Sequence, residues 1–460
     1  MKILRHIIQT LRNTLNNRFN NTSNNTFKDC HLVHKMVKGT VPLLLILVSV
    51  TSSYAESMIP IGNPELEAPE VSAESAVLYS VDLEKALVSK NADKRQYPYS
   101  MTKLLTCFLA VENLDINQEV TISKSAADDI ADGSTMGLEA GEKISVKDLL
   151  YGALLISGND AAAALAEAVS GSENDFAELM NKTAEEWGCT NTHFVNASGV
   201  LDEQHYTSAE DFTIIAEHAL ADETIAGIIA EKKYTISKTN KHDARKITNL
   251  VLKGYGDIDG VVGGKTGTWD YGNASLVLSY KKDDLTAIIV LLKDSMPSRA
   301  SDAKKLLEYA SVATPGYIVA EEGDILGGIW VKHARRTRVN TMLSSDVRAY
   351  PADGATSSIT TRIVADKVSA PLSRGDRVGT YEVYVGDKLV ATRDLLIAED
   401  VETGWLPSYA YISNRCTVVI LSLIAILIFL LLLIRRRNIR RREQRRAEAR
   451  RRKIEELARQ

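Results

Sequence analysis

Apolar residues fall into short runs whose period changes along the chain. From Ala76 to Val88 they partly alternate with polar ones around Asp82-Leu83-Glu84, which predicts a β-hairpin. Leu104–Val111 reads as a helix. Val146–Ile156 reads as a helix with one apolar face, broken at Ser157-Gly158-Asn159. Asp160 is placed to cap the alanine-rich helix that follows and ends near Gly171; Phe176–Trp187 is another amphipathic helix, stopped by Gly188. Ser275–Tyr280 and Leu285–Leu292 are apolar runs either side of Lys281-Lys282-Asp283-Asp284, an antiparallel pair, and Ser301–Ser311 closes the region as a helix. Helices bracketing such strands predict a mixed α/β fold with helices packed on an antiparallel sheet.

After Thr314-Pro315-Gly316 the texture changes. Short β-type runs follow at Ile329–Val331, Arg336–Val339, Ser358–Val364, Thr380–Val385 and Leu389–Thr392, separated by turn residues. They predict a small all-β domain over 317–405 with no catalytic constellation of its own. Two further apolar runs belong to neither domain. Val41–Val50 follows Lys35 and Lys38 and precedes Ser53-Tyr54-Ala55, the pattern of a secretory signal over 36–55. Met36 stands where such a signal normally starts, and the Asn-rich residues 1–35 read as an N-terminal extension. Cys416–Ile434 is free of charge and long enough to cross a bilayer, and Arg435-Arg436-Arg437 and Arg440-Arg441-Arg442 follow it at once. Positive charge stays inside, so 435–460 is expected to be a cytoplasmic tail and the middle of the chain to lie outside. The expected organisation is a Pro- and Glu-containing linker at 56–74, a catalytic domain at 75–313, the all-β domain at 317–405, a transmembrane helix at 416–434 and the basic tail.

Charge agrees with that topology. Of a whole-chain net charge of −4, residues 1–55 carry +6 and residues 435–460 carry +9, which leaves −19 for the middle. So acidic a body excludes a nucleic-acid partner, and membrane orientation accounts for the basic ends. The four cysteines (Cys30, Cys107, Cys189 and Cys416) include no CxxC and make no disulfide framework. Cys107 and Cys189 read as ordinary thiols, with a single bridge between them left open. The eight histidines form no HxxxH or HxH pattern, so no metal or cofactor is expected. His205, in His205-Tyr206-Thr207-Ser208, reads as structural or rim-lining.

Three short motifs carry chemistry. In Ser100-Met101-Thr102-Lys103, serine and lysine three apart at a helix start share a face, so Nζ can reach Oγ and serve as the base a serine nucleophile needs. The helix N-terminus also aims N–H groups at a developing oxyanion. Ser157-Gly158-Asn159, between two helices, supplies a hydroxyl that can pass a proton and a carboxamide that can hold an amide. Lys265-Thr266-Gly267 supplies a charge and a hydroxyl for a carboxylate, with a glycine that permits close backbone approach. Each motif alone is weak, and SxxK recurs at Ser279–Lys282 and Ser301–Lys304 without partners. Their order and spacing, 57 and then 108 residues, behind a secretory signal, carry the weight.

The chain resembles the low-molecular-mass penicillin-binding proteins of the serine D-Ala-D-Ala carboxypeptidase family. The resemblance spans roughly residues 70–405, through YPYSMTKLLT at 97–106, GSTMGLEAGEKISVKDLLYGALLISGNDAAAALAE at 133–167, HFVNASGVLDEQHYTSAED at 193–211, GGKTGT at 263–268 and LSRGDRVGTYEVYVGDKLV at 372–390. It implies a serine β-lactamase/penicillin-binding-protein-like transpeptidase fold. It also implies a substrate, the peptidoglycan stem peptide, and covalent inhibition by β-lactams. Ser100 would attack the carbonyl between two terminal D-alanines, with Lys103 as base. The N–H groups of Ser100 and Thr268 would form the oxyanion hole. Ser157 would pass a proton to the leaving group, Asn159 would hold the acyl-side amide, and Lys265 and Thr266 would bind the terminal carboxylate. Three departures stand out: Tyr99 where the family usually has Ala, a longer Gly260–Gly264 segment, and a true span in place of an amphipathic C-terminal helix.

Two other readings share these motifs. A serine β-lactamase would want a deacylating glutamate between the second and third motifs; the nearest is Glu178, which the helical pattern puts on a solvated face. A catalytically silent peptidoglycan-binding protein would have lost polar site residues, and all seven are present.

Overall fold

The computed structural model describes residues 58–128, 133–404 and 414–457. The expected N-terminal extension and the signal at 36–55 lie outside them. In chain order the first part is β1 (Ile59–Ile61), β2 (Ser75–Ser80), β3 (Lys85–Lys90), α1 (Lys103–Asn113), β4 (Glu119–Thr121), α2 (Lys124–Asp128), β5 (Lys143–Ser145), α3 (Val146–Leu155), α4 (Asn159–Ser170) and α5 (Glu173–Glu186). Then come α6 (Ala209–Ala221), α7 (Glu223–Ala230), β6 (Lys233–Ile236), β7 (Arg245–Thr248), α8 (Leu250–Tyr255), β8 (Val261–Asp270), β9 (Asn273–Lys282), β10 (Leu285–Asp294) and α9 (Met296–Ala313).

Side-chain capping sets several helix starts. Ser145, Ser172 and Ser208 each accept from the N–H of an aspartate three residues on, satisfying a donor the helix cannot. Gly171 ends α4 in the left-handed conformation, φ 83°. Asp160 does not act as the expected cap: α4 begins two residues earlier than that cap requires, with Gly158 as N-cap and no side-chain bond there.

The main sheet runs β3-β2-β10-β9-β8 with every neighbouring pair antiparallel. Alternation along its central strands feeds two cores. Val277, Ile288, Val290 and Leu292 face the large helical layer, while Leu276, Leu278, Ile289 and Leu291 face Ala303, Leu306, Leu307 and Ala310 of α9. Strands covered on both faces lose the polar alternation of a half-exposed strand, which is why β9 and β10 read as continuous apolar runs. Cys107 and Cys189 are buried free thiols, so the bridge left open is not formed.

The second domain comprises β11 (Gly316–Ala320), β12 (Ile325–Trp330), β13 (Arg338–Leu343), β14 (Val347–Ala349), β15 (Ile359–Ala365), β16 (Arg377–Val385) and β17 (Lys388–Ile397). Its larger sheet runs β12-β13-β17-β16-β15. A second sheet, β1-β11-β14, recruits the segment expected to be a linker: Ile59 pairs with Ile318. The same segment is held again at Ser72 and Ala73, whose N–H groups donate to the buried Asp302 carboxylate, at 3.0 Å from Ala73. Residues 58–74 are therefore a packed part of the fold. The β9–β10 turn docks on the second domain: Arg348 meets Asp283 at 2.6 Å, Arg393 Nη2 donates to Asp284 at 2.7 Å, and Tyr350 Oη donates to the Asp283 carbonyl.

The helix α10 (Asn414–Leu457) is continuous through the charge-free stretch and the arginine-rich one. Among the described residues it alone is long and apolar enough to cross a membrane. Its Cys416–Ile434 portion is about 28 Å long at 1.5 Å per residue, and it fits a membrane anchor.

Candidate active site

Ser100 lies in a single 3-10 turn, Tyr99–Thr102, that runs into α1. In a 3-10 turn, residues three apart eclipse. Lys103 is therefore drawn back over Ser100, and its Nζ stands 2.9 Å from Oγ. Lys103 is fully buried, and its Nζ also donates to Asn159 Oδ1 at 2.7 Å and to the Ser198 carbonyl at 2.6 Å. The first two motifs thus meet at one amine.

The turn carries strain and is braced for it. Tyr99 has φ 51°, unfavourable for a residue with a Cβ. Its carbonyl accepts from Thr102 Oγ1 at 2.8 Å, and Thr102 Oγ1 is 2.9 Å from His205 Nε2. The Val195 N–H donates to His205 Nδ1, which leaves the proton on Nε2 and makes that nitrogen the donor to Thr102. Burial holds the imidazole neutral, pushing its pKa down to about 3. Of the two readings its sequence context left, structural or rim-lining, His205 takes the structural one, bracing the turn that carries Ser100. Gly199 is required beside it, since a Cβ there would sit 1.9 Å from the Tyr99 carbonyl oxygen.

Ser157 and Asn159 occupy the α3–α4 connection and the first residue of α4. Ser157 has φ 64°, which turns its hydroxyl out of the helical path. Asp160 is fully buried, and its carboxylate accepts from Thr135 Oγ1 and from the N–H groups of Met136, Leu138 and Ala161. It clamps the 133–138 segment against the second motif.

Lys265, Thr266 and Thr268 lie on β8, the edge strand of the main sheet. Lys265 is buried and its Nζ donates to Ser157 Oγ at 2.9 Å, joining the third motif to the second. Burial pushes its pKa down to about 7; the nearby Arg299 cation lowers it further and Cys107 opposes the shift. Thr266 is half-buried and Thr268 exposed. Gly267 is needed for a reason different from the expected ligand contact: a Cβ there would be 2.4 Å from the Pro98 carbonyl oxygen, so only glycine lets β8 lie against the turn that carries Ser100.

Arg299 escaped the sequence reading. It is buried at the start of α9 and donates from Nη1 to the carbonyls of Gly267 and Ser275, at 3.0 and 2.8 Å, and to Thr268 Oγ1 at 3.2 Å; its Nε donates to Tyr255 Oη. It fixes the end of β8 from behind. No local motif marks it. The Ser198 carbonyl was missed in the same way, although it lies within a segment that carried the family resemblance.

Residues 63–296 match the peptidase S11 family, described as D-alanyl-D-alanine carboxypeptidase, and residues 318–403 match the penicillin-binding protein 5 C-terminal domain. The D-alanyl-D-alanine carboxypeptidase DacF of Bacillus subtilis (strain 168) is 33% identical over 339 residues, 72% of this chain and 86% of that protein. The D-alanyl-D-alanine carboxypeptidase DacA of Haemophilus influenzae is 30% identical over 347 residues, again 72% and 86%. The crystal structure of penicillin-binding protein 5 from Haemophilus influenzae aligns with a TM-score of 0.51 at 29% identity, covering 73% of this chain and 99% of that one. With the three motifs converging on one cleft ahead of a β domain of this kind, the chain belongs to the D-alanyl-D-alanine carboxypeptidase family of serine peptidases.

Proposed function

We propose that this protein is a membrane-anchored serine carboxypeptidase that removes the terminal D-alanine from peptidoglycan stem pentapeptides through an acyl-enzyme on Ser100. The observation that carries the reading is the 2.9 Å contact of the buried Lys103 Nζ with Ser100 Oγ, faced by the Lys265–Ser157 pair at the same distance. Ser100 Oγ bonds to the penultimate D-alanine carbonyl carbon, and Lys103 in its neutral form takes the hydroxyl proton. The N–H groups of Ser100 and Thr268 receive the oxyanion. The C–N bond then breaks; Ser157 gives its proton to the departing amine and takes up the one Lys103 holds, which returns Lys103 to its neutral form. Asn159 presents its amide to the acyl-side peptide, while Lys265 and Thr266 hold the terminal carboxylate. Water attacks the ester, releasing the tetrapeptide and restoring Ser100. A β-lactam presents the same carboxylate and acyl carbonyl, so it acylates the same oxygen. Glu178, the carboxylate a β-lactamase would need, is exposed on α5, and that reading is not favoured. The catalytic domain lies outside the cell membrane, α10 crosses it once, and the arginine-rich end is cytoplasmic.

Intact-protein mass spectrometry after exposure to benzylpenicillin tests this directly. A long-lived adduct of one penicilloyl group, mapped to the peptide containing Ser100, is expected. Rapid turnover of the adduct, or none formed, sinks the reading.

Lys265 also predicts a pH dependence. Its pKa is about 7 in the fold against 10.5 for a free lysine. Between these values the unfolded chain holds a proton the folded one has released, so this site adds stability as pH rises through the window and withdraws it as pH falls to 7. Binding a carboxylate favours the ammonium, so binding above pH 7 must take up a proton. The acylation efficiency of penicillin is expected to fall above about pH 7, by up to about tenfold per pH unit. Lys265→Arg, which stays charged, should move that limb beyond the accessible range. A wild-type profile that is flat through pH 7 to 9 excludes the carboxylate role.

A further inference from the structure

The cleft continues past the reacting centre. Between Gln96–Tyr99 and the β8–β9 turn lies a hollow of about 320 Å³. Three aromatic side chains wall it: Tyr97 and Tyr99, with ring centroids 6.0 Å apart and tilted by 43°, and Trp269. Tyr97 and Trp269 remain 37% and 50% exposed, large rings kept in water at the mouth of a site. The polar lining has both signs, Asp270 and Lys293. Lys293 shares the Glu74 carboxylate with Lys94, so two ammonium groups meet one carboxylate and a positive charge is left over. Gln96 adds a donor. It is only 8% exposed, and its Nε2 has no hydrogen-bond partner of good geometry among the described residues, although it lies close enough to Glu74 to help hold that carboxyl down.

Position on β8 says which part of a ligand arrives. A strand advances about 3.3 Å per residue, so Trp269 and Asp270 stand roughly 13–17 Å along β8 from Lys265. A peptide whose terminal carboxylate is at Lys265 and whose scissile carbonyl is at Ser100 must run its acyl part the other way, toward this hollow. The inference rests on the carboxypeptidase reading above. We propose that the hollow is the subsite for the side chain of the third stem-peptide residue, and that it selects a side chain ending in both an ammonium and a carboxylate over one ending in an ammonium alone. Asp270 takes the ammonium. Lys293 takes the carboxylate. The aromatic rings cover the methylene stem, and their faces also favour a cation. Tyr99, the residue that departs from the family's usual alanine, supplies one of those walls.

Three pentapeptides that differ only at the third residue test this: diaminopimelic acid, lysine and norleucine. Wild-type kcat/KM for D-alanine release is expected to fall in that order, by about tenfold or more from first to last. Asp270→Asn should bring lysine down to norleucine, and Lys293→Gln should bring diaminopimelic acid down to lysine. Both variants should stay within about twofold of wild type in acylation by benzylpenicillin, because its side chain ends in an uncharged phenyl ring and offers neither Asp270 nor Lys293 a partner. Equal turnover of the three peptides, or a preference for lysine, by a wild-type protein that penicillin acylates at Ser100 overturns the subsite. Absence of both D-alanine release and acylation overturns the carboxypeptidase reading instead.

Discussion

Ser100→Ala is expected to abolish D-alanine release from a pentapeptide and labelling by fluorescent penicillin, lowering turnover by roughly 10⁴-fold or more. The oxygen is the atom that becomes covalently bonded, so no neighbouring group can replace it. The fold should survive. Ser100 is half-buried at the cleft surface, and its Oγ accepts one bond from Lys103, whose Nζ keeps Asn159 and the Ser198 carbonyl. Far-ultraviolet circular dichroism and Tm close to wild type, together with loss of both activities, are the expected results. Normal D-alanine release by this variant rules Ser100 out as the nucleophile.

Lys103 is expected to be nearly as sensitive, for two separable reasons. Loss of a positioned base costs about 10²–10⁴ in rate. Lys103→Met also removes the donor to Asn159 Oδ1 and the Ser198 carbonyl, both in buried surroundings, at about 1–3 kcal/mol for each acceptor left unsatisfied. Lys103→Arg separates the two. It keeps several donors but stays protonated at working pH and so cannot take the Ser100 proton; it should recover stability without recovering acylation. Stopped-flow acylation by a chromogenic β-lactam, read beside thermal melts, distinguishes the outcomes. An arginine variant that acylates at the wild-type rate would remove Lys103 from the base's role and leave it a positioning cation.

What was legible in the chain was what short-range pattern controls. The 75–90 hairpin follows from alternation, α3 and α5 from an apolar face, and β9 and β10 from apolar runs between turn residues. The convergence of Ser100, Ser157 and Lys265 followed from the order of three motifs, each uninformative alone. What was not legible depends on partners far away in sequence. Asp160 looks like a helix cap because an acid at a helix start usually is one, yet its carboxylate is consumed by residues 135–138. Arg299 belongs by sequence to a closing helix, and only the approach of α9 to β8 brings it against Gly267 and Thr268. Gly267 was assigned to a ligand when its space is taken by the protein's own Pro98 carbonyl. Residues 58–74 have the composition of a linker, and their order comes from β11 and Asp302.

That last pairing bears on how the molecule is made. In the topology proposed above, a chain exported from its N-terminus would deliver Ile59 to the far side of the membrane well before Ile318, its partner in β1–β11, about 260 residues later. On that route the intervening peptidase would fold with its leading strand still unmatched, an exposed edge open to pairing with another chain. Only when the β domain emerges does the strand close the circuit, joining the two flanks of the catalytic domain at a single place. The first short strand thus ties the two ends of the fold together, and a chain cut anywhere between Ala313 and Gly316 would keep all three motifs while leaving that strand unpaired.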